Sequence, residues 1–379
     1  MALINYVTQV QFEHGAIKLL QAECERLGVT RPMLVTDAGV RAAGLVDKVL
    51  AQLKSPSAVG VFDQTPPNPT EAAMRVALAQ YRAGNFDGLI ALGGGSAMDL
   101  AKAVAICSAH DGPLKDFAAV EGGVARITAA TATVIAIPTT AGTGSEVGRG
   151  SMMILDDGRK VALVSPHNIP KVAICDPELT LGLPPLLTAA TGMDAITHCM
   201  ETFMSAALNF PAEGIALDGL WRGWAHIERA TNNPGDREAR FHMMSASTQG
   251  AMTFQKGLGA VHSLSHSLGA LNPKLHHGTL NAMLLPAVIN FNSSVDSMKQ
   301  ANKLARLAQA TGLSSGTDVA PAVKAMNQRL GLPSGLGALG VTEDMYPAAI
   351  SMAMKDHCHF TNPRVATEQD YVEILRESM

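Results

Sequence analysis

Asp194 and His198 stand four residues apart, and His262, His276 and His277 follow them across a long gap. Thr188 to Phe203 reads as helix, so that spacing puts the carboxylate and the imidazole on one face, one turn apart. A carboxylate and several imidazoles that converge can chelate a divalent cation. Such nitrogen and oxygen donors suit Fe2+ well, and also Zn2+, Co2+ or Mn2+. A cation held there would lower the pKa of an alcohol and polarise a carbonyl. Taken alone, the Asp194/His198 pair fits equally well a helix with a core histidine and an exposed aspartate.

A second kind of chemistry is suggested upstream. Leu89 to Asp99 runs from an apolar strand through Gly93, Gly94 and Gly95 into a helix at Ser96. Glycines let backbone N–H groups approach an anion, and the helix start adds partial positive charge. Gly94, Gly95 and Ser96 thus form a candidate pyrophosphate seat. The pattern is not G-x-G-x-x-G, so the fold it predicts is Rossmann-like rather than standard. A glycine turn capped by Ser96 would look the same without a ligand. Ile137 to Glu146 again follows an apolar strand, and its hydroxyls Thr139, Thr140, Thr143 and Ser145 suit amide and phosphate contacts. Asp37 ends the first strand, where a carboxylate can accept from a ribose 2′-hydroxyl and repel a 2′-phosphate. That favours NAD over NADP, and a helix N-cap is the alternative duty for Asp37.

The elements that must hold these residues alternate in the first half. Short apolar strands are predicted at 32–37, 58–62, 88–93 and 133–138. Helices are predicted at 44–53, from Asn68-Pro-Thr70 to about 82 with Pro69 in the first turn, and at 96–108. Continuous apolar strands alternating with helices predict a parallel sheet covered by helices on both faces. Met152 to Leu155 and Lys171 to Cys175 read as the last strands. Beyond Leu183-Pro-Pro185 the signals are helical: 186–206, 211–231, 236–255, 259–271, 278–292, 296–311, 318–330 and 342–355. The expected division is an α/β dinucleotide-binding domain over 1–183 and an all-helical metal-binding domain over 184–379.

The bulk numbers narrow the function. A chain of 379 residues can bury two cores. Its net charge of −4, without a basic stripe, argues against nucleic acid. Hydrophobic content of 47% against 16% charged predicts surface buried in a homo-oligomer. The five cysteines are dispersed and lack a C-x-x-C pair, which fits reduced thiols and a cytoplasmic setting. Met1 to Val7 carries no basic segment ahead of an apolar core, so no signal peptide is expected. The apolar window Gly88 to Ala109 is broken by Asp99 and Lys102, and no membrane span is expected. The 19 methionines read as core filler. Trp221 and Trp224 read as packing or interface residues, and His226 and His242 as core or surface histidines.

Several motifs together resemble the iron-dependent, or group III, alcohol dehydrogenase family. They are Asn68-Pro-Thr70, Gly93-Gly-Gly-Ser96 with Asp99 and Lys102, Pro138-Thr-Thr-Ala-Gly-Thr-Gly-Ser-Glu146, Gly192-Met-Asp-Ala-Ile-Thr-His198, Gly259-Ala-Val-His262-Ser-Leu-Ser-His266, His277-Gly278 with Pro286, and Asn362-Pro-Arg364. Within the family the chain is most similar to bacterial 4-hydroxybutyrate dehydrogenases, through Asp176 to Pro184, His276 to Ala282 and Asp356-His-Cys-His359. The resemblance implies an NAD-linked interconversion of an alcohol and its carbonyl form, in a cleft between the two domains. It implies Asp194, His198, His262 and one of His276 and His277 as metal ligands. The family histidine stands directly before glycine, which selects His277. His266, one turn after His262, is implied as a catalytic proton relay. The implied cofactor set is Asp37, Asn68, Gly94, Gly95, Ser96, Asp99, Thr139, Thr140, Thr143, Ser145 and Lys160.

The substrate implied is a short ω-hydroxy acid, turned into its semialdehyde or formed from it. Its distal carboxylate needs a cation, for which Arg149, Lys274, His276, His357, His359 and Arg364 are candidates. Simple alcohols, diols and sulfonated analogues are the alternative substrates. A lyase like dehydroquinate synthase, which uses NAD transiently, is a further alternative, and a non-catalytic sensor a third. The hydroxyl-rich run and the Asp/His spacing argue against the lyase.

Overall fold

Short runs of apolar residues, bounded by glycine, proline and turn residues, build one sheet. The computed structural model describes residues 8–379; the Met1 to Val7 stretch lies outside the described residues. The strands are β1 (Gln9–Phe12), β2 (Pro32–Val35), β3 (Gly60–Phe62), β4 (Gly88–Gly93), β5 (Thr133–Pro138), β6 (Gly150–Ile154), β7 (Lys160–Val164) and β8 (Val172–Cys175). The helices among them are α1 (Leu20–Leu27), α2 (Ala38–Ala42), α3 (Leu45–Leu50), α4 (Glu71–Ala83) and α5 (Gly95–Ala109). Six strands pair in the order β1-β8-β5-β4-β2-β3, and every pair is parallel.

Period-two alternation explains why these strands are apolar on both faces. Met33, Val35, Leu89, Ala91, Val134 and Ala136 join one core, with Met74 and Ala77 of α4 and most of α5. Leu34, Ile90, Leu92, Ile135, Ile137 and Ile174 join the other, with Leu20 of α1 and Val46 and Val49 of α3. The helix after β2 and the helix after β3 therefore cover opposite faces. The strand order reverses between β2 and β4, and their carboxyl ends flank the crevice where such sheets receive ligands.

Several expected elements differ. Met152 to Leu155 does not join the parallel sheet. It lies in β6, which forms a separate antiparallel hairpin with β7 around a turn at Gly158, where φ is +84°. The expected helix over 44–53 is shorter, Leu45–Leu50, and a further short helix, α2, precedes it across Gly44, where φ is +74°. Thr70 caps α4 by accepting from the Ala73 N–H, so Pro69 precedes the cap instead of sitting in the first turn.

The second half is helical: α6 (Pro185–Met204), α7 (Phe210–Asn232), α8 (Arg237–Met252), α9 (Ala260–Leu271), α10 (His277–Asn292), α11 (Asp296–Gln300), α12 (Lys303–Thr311), α13 (Val319–Arg329), α14 (Tyr346–Ala353) and α15 (Glu368–Glu377). The expected helix 296–311 is split at Asn302, which adopts φ of +47°. Helix α6 is buried continuously from Thr188 to Met204. A helix enclosed on all sides can carry polar side chains only where they meet partners. Among the described residues no helix is long and apolar enough to cross a membrane.

The chain divides into two compact units. Among the described residues, one holds 8–140 and 144–182; the other holds 183–379 and the short segment Ala141–Thr143. That segment departs from the contiguous division read from the sequence. Its reason is close packing: a Cβ on Gly142 would come within 2.7 Å of Thr191 Cβ and 2.8 Å of Thr191 O, so only glycine lets the segment lie on α6.

Candidate active site

Three helices of the second unit each present a pair of side chains one turn apart. They are Asp194 and His198 on α6, His262 and His266 on α9, and His277 and Asn281 on α10. Around Asp194 Oδ1 the Nε2 atoms lie at 3.5 Å for His198, 3.8 Å for His262 and 3.7 Å for His277. His276 caps α10 from an exposed position, with Thr279 Oγ1 3.4 Å from its Nδ1, so the converging histidine is His277.

The opposite ring nitrogens orient these donors. His198 Nδ1 donates to the Gly142 carbonyl at 3.2 Å. His262 Nδ1 donates to Glu201, whose other oxygen accepts from the Val261 N–H at 2.9 Å. Each such bond puts the ring proton on Nδ1 and leaves the Nε2 lone pair toward Asp194. His277 Nδ1 lies 3.4 Å from Ser265 Oγ. Burial drops the His198 pKa to about 4, against the pull of Asp194, so this ring is neutral. Burial also opposes charge on His262, but Glu201 and Asp194 outweigh it and raise that pKa. Three imidazole nitrogens thus gather within 4 Å of one carboxylate oxygen in a buried pocket. The donor set therefore fits a divalent first-row metal.

His266 stacks on His277, with ring centroids 5.3 Å apart and planes within 10°. Its Nδ1 donates to Asp356 Oδ2 at 2.9 Å. Burial would raise the Asp356 pKa, but His266 and His357 hold it well below the usual carboxylate range.

In the α/β unit the register sets the other candidates side by side. Gly93 pairs with Pro138, so the turn after β4 meets the loop after β5. A Cβ on Gly94 would lie 3.2 Å from Thr140 Oγ1, and Thr139 N donates to Gly93 O at 3.0 Å. Asp37 follows β2 at the same edge. Its Oδ1 caps α2 by accepting from Val40 N at 2.9 Å, so the capping duty weighed for it is present. Gly94 and Gly95 open α5, while the Ser96 hydroxyl donates to Pro67 O. Asn68 Oδ1 accepts from Lys160 Nζ at 3.1 Å.

Asp99 and Ser145 are engaged inside the unit. Asp99 accepts from Ser145 Oγ at 2.8 Å and from Met152 N at 2.9 Å. The buried Lys102 donates to Ser145 O and Oγ and to the carbonyls of Gly148 and Gly150. These three residues hold the hydroxyl-rich loop in shape. Thr143 belongs with the helical unit.

Family models match both parts of the chain: iron-containing alcohol dehydrogenase over residues 7–177, and the C-terminal part of the Fe-containing alcohol dehydrogenase family over 188–379. The chain belongs to the iron-containing alcohol dehydrogenase family. As a member it is an NAD-linked, metal-dependent oxidoreductase. It is 57% identical over 383 residues to 4-hydroxybutyrate dehydrogenase of Cupriavidus necator, covering all of both chains. A crystal structure of 1,3-propanediol oxidoreductase superposes with a TM-score of 0.92 at 34% identity, again over all of both chains. Sulfoacetaldehyde reductase of Bifidobacterium kashiwanohense, crystallised with NAD+, matches with a TM-score of 0.88 at 26% identity, over 100% of this chain and 99% of that one.

In this alcohol dehydrogenase the candidate carboxylate-binding cations separate. His359 is buried and bonded to Tyr371 Oη at 2.9 Å. Arg364 pairs with Asp370 at 2.7 Å and lies over the Phe291 ring. Arg149 and Lys274 are exposed, Arg149 in the α/β unit. The His357 side chain is 44% exposed, and its ring lies 6.0 Å from His266, 21° from parallel. Sequence reasoning left out Glu201, Asn281 and Asp356. Glu201 stands seven residues after Asp194 and Asn281 four after His277, so helical spacing alone could have flagged both.

Proposed function

We propose that this enzyme interconverts a short ω-hydroxy acid of the 4-hydroxybutyrate kind and its semialdehyde, with NAD as hydride carrier. The observation that carries the chemistry is the convergence of Asp194, His198, His262 and His277 from three helices. A divalent cation there would supply Lewis acidity toward the hydroxyl or carbonyl oxygen, and the nicotinamide would take or give the hydride.

The chain's own residues do the rest. Glu201 and the Gly142 carbonyl fix the tautomers of His262 and His198. Asp356 fixes His266 with its proton on Nδ1, leaving Nε2 as the nitrogen that takes or returns the substrate's proton. His357, one ring beyond His266 and open to solvent, is our choice for the substrate's carboxylate. Asp37, Asn68, Gly94, Gly95, Ser96, Thr139, Thr140 and Lys160 form the cofactor-binding set in this reading. Thr143 is included, while Asp99 and Ser145 act by shaping the loop. The full-length relative named 4-hydroxybutyrate dehydrogenase supports the substrate. A diol is the second reading, favoured by the 1,3-propanediol oxidoreductase likeness.

Two further features belong to the proposal. Leu208, Phe210 and Trp221 are exposed near and along α7, which supports a homo-oligomer that light scattering can count. All five cysteines are free and buried, which suits a reducing, cytoplasmic setting.

The decisive assay strips the protein with a chelator, reloads it with Fe2+ or Zn2+, and follows NADH with 4-hydroxybutyrate, 1-butanol, 1,3-propanediol and isethionate. Metal-dependent NADH formation favouring 4-hydroxybutyrate is expected. Equal rates on 1-butanol would sink the carboxylate reading and keep the dehydrogenase. Asp194→Ala is expected to lose bound metal and activity together, and full activity in that variant would refute the metal site.

A further inference from the structure

Asp356, His357 and Cys358 are consecutive, and the turns after α14 bring all three to His266 of α9. His266 Nδ1, an Asp356 oxygen and Cys358 Sγ lie within 4.8 Å of one another. His266 Nδ1 is 2.9 Å from Asp356 Oδ2, and His357 Nδ1 is 3.5 Å from Asp356 Oδ1. Cys358 Sγ is 3.4 Å from His357 Nε2. Ligand atoms around a tetrahedral ion, bonded at about 2.0 Å to nitrogen and 2.3 Å to sulfur, stand roughly 3.3–3.5 Å apart. These side chains are thus already near the spacing of one coordination sphere. His357 is open to solvent and gives an ion its way in.

Orienting His266 uses only Asp356 and leaves the thiol without a task. A packed, inert cysteine is the plain alternative, since burial and the charges of Asp356 and Glu201 push the Cys358 pKa well up. The other four cysteines are buried as well, but among the described residues none of them joins a group of possible ligands. Cys358 differs in having a carboxylate and two imidazoles around it. A bound cation removes the obstacle, because a coordinating thiol loses its proton outright. Asp356 and the thiolate would then balance the two charges of the ion, so the buried group would be neutral.

We propose that Asp356, His357 and Cys358, with His266 Nδ1, form a second cation site that takes a thiophilic ion such as Zn2+ or Cd2+ and inhibits the enzyme. Sulfur selects the softer ions, whereas the nitrogen and oxygen donors on α6, α9 and α10 suit Fe2+. The two sets share no residue. Binding releases the thiol proton and the His266 Nδ1 proton to solvent. It also takes Asp356 from His266, and His357 from the substrate's carboxylate. The inhibition therefore rests on the roles given to His266 and His357 in the preceding section; the binding does not.

Cadmium is the probe, because a cadmium thiolate gives an ultraviolet charge-transfer band that nitrogen and oxygen ligands do not. The full-length enzyme, loaded with Fe2+ without oxygen, is titrated with Cd2+ while the band, the bound metals and NADH formation are followed. One cadmium per chain, with the iron retained, should raise the band and remove activity together. Cys358→Ser should lack the band and, against its own starting rate, need roughly tenfold or more cadmium for half inhibition. His357→Ala should keep the band with weaker binding. Wild-type enzyme without a thiolate band, or a band that persists in folded Cys358→Ser, would overturn the proposal. If Cys358→Ser does not fold, anomalous scattering from wild-type crystals soaked in cadmium decides, by whether the ion lies within bonding distance of Cys358 Sγ and Asp356. A full band with unchanged activity would overturn the inhibition. Protein that holds no iron yet gives the band would sink the four-ligand site and support this one.

Discussion

Asp356 and His357 are neighbours in the chain with separate duties. Replacing His357 by alanine removes a charge-assisted contact worth about 1.5–3 kcal/mol, which corresponds to roughly a ten- to hundredfold rise in KM for 4-hydroxybutyrate. The KM for 1-butanol should not move, and an equal rise on both substrates would place His357 outside the carboxylate site. Asp356 is held below its ordinary pKa, burial being outweighed by His266 and His357. A depressed carboxylate stabilises the fold above its unfolded pKa of about 4, and the contribution is lost as pH falls from there toward the folded value. The gap in Tm between wild type and Asp356→Asn should be full near neutrality and shrink below about pH 4. A gap independent of pH would mean that the pair with His266 contributes nothing through charge.

At the scale of elements, the site depends on helices brought unusually close. Gly278 in the first turn of α10 has its Cα against α6; a Cβ would lie 2.2 Å from Ala190 O and 3.2 Å from Asp194 Cβ. Gly278→Ala should push α10 away from α6, costing about 1–3 kcal/mol and loosening His277. Thermal melting and metal stoichiometry check this, and an unchanged melt with full metal content would contradict it. Asp194 and His198 could be found by spacing because they lie one turn apart on α6, whereas His262 and His277 stand on other helices and were implied by the family resemblance. Their supports were hidden, since Glu201 gains its meaning only when the start of α9 arrives at its carboxylate, and Asp356 reaches His266 across 90 residues. The strands of the sheet core were legible as apolar runs. Strand β1, with Gln9 and Gln11, carries little of that signal and pairs only with β8. Only the first strand of the β6–β7 hairpin was read, although Asp157-Gly158 between two apolar runs is itself a hairpin-turn signal.

At the scale of the molecule, the proposed metal ligands fall in one compact unit and the proposed cofactor residues, Thr143 apart, in the other. A metal bound at a thousandfold its Kd stabilises its unit by about 4 kcal/mol. Chelation should therefore lower hydrogen-exchange protection in α6, α9 and α10, while NAD should raise it around the turns after β2, β4 and β5. Uniform changes with both ligands would contradict that separation. The segment Ala141–Thr143 has its own consequence. Gly142, which fixes the ring proton of His198, comes from a loop more than fifty residues upstream, between strands of the other unit. A chimera that joins the first half of one relative to the second half of another at Leu183 would inherit its iron ligands from one parent and the tautomer of one of them from the other. Recombination at that seam, however well it matches the apparent border, exchanges a part of the metal centre that no inspection of the C-terminal half would reveal.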